Sequence, residues 1–207
     1  MSAIVFIRHG PTEWNAQGLI QGQSDIPLSE EGRDEVRRWR LRNDFTGFDW
    51  YASPLARAKE TASLLGAESC RYEPRLQEAN WGEWEGWSLD RLRQDIGEIF
   101  AAMEAQGLDL LPPGGESPRM VRARLGAWLA EVAPAQRPIV AVCHAGVVRA
   151  AYSLATGWEM KKKAPLARPH AFAHLYDLSP AGALTVSELN IPLLAPDPPE
   201  PHDRRDG

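Results

Sequence analysis

The chain has 207 residues, 43% hydrophobic and 25% charged, with a formal net charge of −5 at pH 7. That length buries a core without disulfide staples, and that composition excludes a disordered, collagen-like or low-complexity chain. No apolar run approaches the roughly 20 residues of a membrane span, and Lys and Arg form no dense stripe, so neither a membrane nor nucleic acid is an expected partner.

Residues 3–7 are a continuous apolar run, expected as a buried central strand, and they end in Arg8-His9-Gly10. A charge-rich segment from Ser29 to Phe45 follows, with Ser29 as N-cap and Val36, Trp39 and Leu41 as the apolar face of a helix. Residues 48–52 read as a second strand. Ser53-Pro54 then suits an N-cap and first helical position for a helix over 55–65, closed by Gly66. A short strand is expected at 70–72. Residues 78–118 are Trp- and Gly-rich around a helical stretch at 89–105, and are expected as a lid-like excursion from the sheet. Ser117-Pro118 opens a helix to about 132, residues 138–143 form an apolar strand, and a helix follows to about 155. Strands are expected at 171–178 and 183–189. The alternation argues for an α/β domain over 1–191 with a mostly parallel sheet, and 192–207 reads as a Pro-rich tail.

Met1 to Arg8 reaches charge too early for a signal peptide, and Cys70 and Cys143 form no C-x-x-C pair. The expected location is a reducing cytoplasm.

Two of the expected strands end alike, one in Arg8-His9-Gly10 and the other in His144-Ala145-Gly146. Ligands bind at the carboxyl ends of strands in open α/β sheets, which would bring both histidines to one edge. A glycine after each admits backbone N–H groups to a ligand, and the second also opens a helix, where anions bind. Arg57, in the first turn of a helix after a strand, can reach the same edge. With Arg8 it could clamp an anion through planar, bidentate hydrogen bonds. Either histidine alone would more ordinarily be a hydrogen-bonded loop residue, and Arg57 alone a surface residue. His170, His174 and His202 show no comparable setting.

The ordered set Arg8-His9-Gly10-Pro11-Thr12-Glu13-Trp14-Asn15, Ser53-Pro54-Leu55-Ala56-Arg57 with Thr61-Ala62, Leu76-Gln77-Glu78 with Trp81-Gly82-Glu83-Trp84-Glu85-Gly86, Gly115-Glu116-Ser117 and His144-Ala145-Gly146 resembles the histidine phosphatase, or phosphoglycerate-mutase-like, superfamily. The resemblance runs from residue 4 to about 190 and implies a three-layer α/β/α sandwich. It makes His9 a nucleophile that forms a transient phosphohistidine. Arg8, Arg57 and His144 would surround the phosphoryl oxygens, Asn15 would add a hydrogen bond, and Gln21 falls on a less constant pocket position. Glu78 would be the general acid, although Glu83 and Glu85 are also placed to serve. Fixed cations stabilise the charge of phosphoryl transfer, so no cofactor or metal is called for.

The implied activity is hydrolysis of a small-molecule phosphate monoester. The stretch between Glu78 and His144 is short for a cofactor-dependent phosphoglycerate mutase, which is the alternative, and Pro11 stands where glutamate is commoner. A catalytically silent phospho-ligand binding domain is a second alternative. Such domains typically lack the first histidine or an arginine, and both are present here. Two of Trp81, Trp84 and Trp87 are expected in the core and one at the entrance. The 88–116 stretch should line the leaving-group side. Neither the physiological substrate nor the oligomeric state is written in these motifs.

Overall fold

The computed structural model describes residues 1–167 and 170–193. Six strands build its sheet: β1 (Ser2–Arg8), β2 (Asp49–Ala52), β3 (Cys70–Tyr72), β4 (Ile139–Cys143), β5 (Phe172–Leu178) and β6 (Leu184–Pro192). Their order is β3-β2-β4-β1-β5-β6. The first four pair in parallel, β5 runs antiparallel to β1, and β6 antiparallel to β5. The sheet is therefore mostly parallel, and β1 and β4 lie side by side at its centre.

Period-two alternation feeds two cores. Ile4, Phe6, Ile139 and Ala141 pack with Leu125, Trp128 and Val147, from α5 (Pro118–Val132) and α6 (Ala145–Thr156). Val5, Ile7, Val140 and Val142 face the opposite way, onto Val36 of α2 (Glu30–Arg38) and Ala58 and Ala62 of α3 (Ala56–Leu64). Covered on both faces, β1 and β4 have to be apolar throughout, which gives the three-layer α/β/α sandwich.

Ser29 caps α2 as expected, accepting from the Gly32 N–H at 3.0 Å. That helix stops at Arg38, well short of Phe45, which instead ends a single 3₁₀ turn. Ser53 does not cap α3. Its N–H donates to Val142 and prolongs the β2–β4 ladder, so the chain needs two more residues to turn and Leu55 takes the cap position. Unanticipated in the sequence is α1 (Glu13–Ala16), a single turn closed by a capping box between Thr12 and Asn15. Pro192 belongs to β6 rather than to a tail, tolerated because β6 is an edge strand, and Leu193 is buried. Residues 194–207, including His202, lie outside the described residues.

The excursion carries α4 (Leu89–Glu104), capped by Ser88 and kinked at Ile96. It has a small apolar cluster of its own, Trp84, Leu92 and Phe100, with Trp81, Trp87 and Leu110 packed against it. Among the described residues no helix is long and apolar enough to cross a membrane.

Candidate active site

The two histidines meet because the central ladder continues past both strands. Arg8 is in register with Cys143, and the His9 N–H donates to the Cys143 carbonyl at 2.9 Å. The next residue on each chain is therefore held beside its counterpart, and the rings of His9 and His144 lie 5.1 Å apart. Arg57 follows β2 at the same edge, in the first turn of α3.

His9 is 3% exposed, and its Nδ1 lies 2.7 Å from the Gly10 carbonyl. A carbonyl only accepts, so Nδ1 carries the proton and a neutral ring keeps its lone pair on Nε2. Burial, reinforced by His144, Arg8, Arg57 and His170, holds the His9 pKa well below the ordinary histidine value. The ring is thus neutral, with its tautomer set by the backbone and a lone pair on Nε2.

His144 is the N-cap residue of α6 and is fully buried, with neither ring nitrogen hydrogen-bonded within the protein. Burial first, then Arg57, Arg8 and Arg124, hold it neutral as well. A buried imidazole with no partner is unusual, and the oxygens of an anion at this edge would satisfy it. Arg57 is also fully buried. Its guanidinium donates to the carbonyls of Ser24 (2.9 Å) and Gly22 (2.7 Å), while Nε has no partner. Burial lowers the pKa of both Arg8 and Arg57, and Glu78 opposes that lowering in each.

The loop clamping Arg57 is itself clamped. Glu85 accepts from the backbone N–H groups of Gln23 and Ser24, both at 2.8 Å, from the Ser24 hydroxyl at 2.5 Å and from the Trp81 N–H at 3.2 Å. Gly22 sits at φ +53°, and a Cβ there would lie 1.9 Å from Glu85 Oε1, so glycine is required.

Glu78 reaches the sheet edge from the excursion. Its carboxylate accepts from the Ala79 N–H at 2.9 Å and from the Gly146 N–H at 3.0 and 3.2 Å. A Cβ at 146 would lie 2.2 Å from Glu78 Oε1 and would push the carboxylate out of this position. The Glu78 carbonyl is held by Gln23 at 3.2 Å and Arg124 at 3.1 Å, and Arg124 forms a two-pronged ion pair with Glu116 at 2.8 and 3.0 Å. Of the rival acids, Glu85 is consumed in the loop clamp and Glu83 is exposed and does not line the cavity.

Arg8, His9, Asn15, Gln21, Arg57, Glu78, Ala145 and Gly146 share one cavity of about 510 Å³. Asn15 spends its amide oxygen on the Thr12 cap, which leaves Nδ2 as the group it can offer a ligand. Gln21 is buried with Oε1 unpartnered. Gly10 stands differently from its sequence expectation: its N–H donates to Thr61 at 2.9 Å, its carbonyl serves His9, and it does not line the cavity. The Gly146 amide is likewise committed within the protein, to the Glu78 carboxylate.

Nothing in the local sequence signals a role for His170. Its Nδ1–H donates to the His9 carbonyl at 2.7 Å, and the two rings lie 5.5 Å apart. It precedes β5, which neighbours β1, a proximity that only the strand order reveals. None of Lys161, Lys162 and Lys163 lines the cavity. A second concavity, of about 570 Å³, lies between the 41–50 loop and the α3–β3 turn, and no histidine lines it. Among the described residues no group of three or more His, Cys, Asp or Glu side chains is arranged to hold a metal ion.

The sequence profile of the histidine phosphatase superfamily (branch 1) matches residues 4–185. Phosphoglycerate mutase-like protein 4 of Arabidopsis thaliana is 32% identical over 161 residues, covering 73% of this chain and 70% of that protein. The 2,3-bisphosphoglycerate-dependent phosphoglycerate mutase of Methylorubrum extorquens (strain PA1) is 34% identical over 179 residues, covering 79% and 83%. A mycobacterial glucosyl-3-phosphoglycerate phosphatase, solved with inorganic phosphate, superposes with a TM-score of 0.79 at 25% identity, covering 95% of this chain and all of that one.

Proposed function

Because this chain belongs to the histidine phosphatase superfamily, we propose that it hydrolyses a phosphate monoester through a phosphohistidine at His9, using side chains in place of a metal. The observation that carries the reading is the neutral, tautomer-fixed His9 beside the buried Arg57 guanidinium, the half-buried Arg8 and an imidazole with no internal partner.

Nε2 of His9 attacks phosphorus while the ester oxygen leaves. The N–P bond forms, the P–O bond breaks, and the proton on the Glu78 carboxyl passes to the departing alkoxide. Arg8, Arg57, His144 and Asn15 hold the equatorial oxygens as charge spreads over them. Glu78, now a carboxylate, takes a proton from water, whose oxygen attacks phosphorus. The N–P bond breaks, and phosphate and neutral His9 are regenerated. Gly146 matters twice here, because its N–H orients the acid and its missing Cβ leaves room for it.

A mutase reading is favoured by the names of the sequence relatives. It differs in whether phosphohistidine passes its group to water or to a phosphoglycerate. Rapid quench of p-nitrophenyl phosphate turnover, with EDTA present, is expected to trap an acid-labile phosphoenzyme in the native protein and none in His9→Ala. Turnover without that species refutes the proposal. Bound phosphate without turnover makes the domain a binder. Interconversion of 2- and 3-phosphoglycerate, stimulated by the bisphosphate and faster than hydrolysis, makes it a mutase.

A further inference from the structure

The cavity has two chemically different ends. Beyond Glu78 its wall is built by Trp81, Phe100, Leu110, Val121 and Met160. Phe100 and Val121 are almost fully buried, so this wall is anchored in the lid cluster and in the main core. Met160 holds a left-handed backbone conformation, φ 62°, which is strained for a residue with a Cβ. Gly107 packs against that segment, where a Cβ would lie 2.2 Å from the Glu159 carbonyl, and the Leu108 N–H donates to the same carbonyl at 3.1 Å. The lid thus docks onto the turn after α6 and fixes a polarizable thioether in the cavity wall.

The charged groups at this end are mixed, and two acids line the cavity there. Glu104 lines the cavity exposed and Glu116 lines it paired with Arg124. Arg149 lies at the exposed rim, 5.6 Å from the Trp158 ring. A leaving group bearing a carboxylate or second phosphate would be desolvated against an apolar wall and beside carboxylates. An apolar or aromatic one would bury its surface there at a gain of roughly 25 cal/mol per Å².

We infer that the substrate is a singly phosphorylated ester of an uncharged alcohol with an apolar or aromatic body, and not a phosphoglycerate or bisphosphate. This rests on the phosphatase reading and narrows it. The test compares alkyl esters, so that leaving-group acidity does not set the ranking. kcat/KM is measured for 2-phenylethyl phosphate, glycerol 3-phosphate and 3-phosphoglycerate, with inorganic phosphate as competitive inhibitor. The expected result is a preference of at least about tenfold for the phenylethyl ester over the other two, equivalent to ~1.4 kcal/mol of transition-state binding. Met160→Lys should shrink that preference and raise relative turnover of 3-phosphoglycerate, while the phosphate inhibition constant stays within about twofold.

Equal or better turnover of glycerol 3-phosphate or 3-phosphoglycerate by the native enzyme overturns the substrate class and leaves the phosphatase standing. No phosphoenzyme with any of the three overturns both. If Met160→Lys does not fold, the native ranking still decides the question.

Discussion

The two ends of the active-site cavity are built by opposite means. At the phosphoryl end, His9 and His144 follow the central strands directly, and Arg57 stands one turn into a helix after a third. Each is buried, and backbone carbonyls hold the side chains of His9 and Arg57. At the leaving-group end most of the wall comes from an excursion whose own cluster holds, among the described residues, three buried side chains, against nineteen in the core under α5 and α6. Position at the first end follows from sheet topology, which cannot drift without breaking the ladder. Position at the second depends on a small, separately packed unit that can be rebuilt without touching the sheet. Changes at the first should therefore scale every substrate's rate alike, and changes at the second should reorder substrates.

The most severe test is Arg57→Ala. Removing a preorganised donor from developing charge costs about 2.7–4 kcal/mol, or ~10²–10³ in rate. The loss should be the same factor for 2-phenylethyl and glycerol phosphates, read as kcat/KM. A loss that differs between them by tenfold would mean the two ends are not separable.

Glu78 lies on the seam, in the excursion by sequence but hydrogen-bonded to Gly146 at the sheet edge. Its proton matters only where the departing oxygen needs one. Glu78→Gln should slow alkyl esters by about 10²-fold and p-nitrophenyl phosphate by less than about tenfold, because nitrophenolate leaves unprotonated. Equal slowing of both would place the acid elsewhere.

The same contrast explains what the sequence made legible. Apolar runs at 3–7 and 138–143 mark strands covered on both faces, and the residues that follow them mark the edge where the candidate site lies, because local pattern and global position coincide there. The start of α3 departs from the local signal because a tertiary bond outweighs it: the Ser53 N–H stays in the ladder with Val142. His170 was illegible because 161 residues separate it from the carbonyl it binds. Glu85 was legible only as a candidate acid. Its role in holding the 22–24 loop depends on three hydrogen bonds across the fold.

Glu85→Gln should have an intermediate effect. It removes the charge from those hydrogen bonds, loosening the carbonyls of Gly22 and Ser24 that clamp Arg57. Hydrogen bonds to a charged acceptor contribute about 1.5–3 kcal/mol each, and part of that survives with a neutral amide, so kcat/KM should fall by about tenfold. The phosphate inhibition constant should rise in step, with substrate order unchanged. A reordering would assign Glu85 to the leaving-group end, through its contact with Trp81.

The smallest effect is on the pH profile, and it separates nucleophile from scaffold. His9 acts only when neutral, and its pKa is depressed first by burial and then by His144, Arg8, Arg57 and His170. An ordinary histidine near 6.5 would lose about tenfold in rate at pH 5.5. Here kcat/KM, corrected for the substrate's own second ionisation, should fall by less than about twofold over that step. Stability behaves differently. His170 and His174 are pushed down to about 4 in the folded protein, so between pH 6.5 and 4 the unfolded chain binds more protons. Stability is then full above the unfolded value and drains away as pH falls toward 4, seen as a declining Tm. His170→Asn keeps a donor for the His9 carbonyl and deletes one of these titrations. It should flatten the Tm decline while leaving kcat within a few-fold. An acid limb near pH 6.5 in a protein whose Tm has not moved would show that His9 is solvated, and the buried phosphoryl end would lose its claim to be the rigid half.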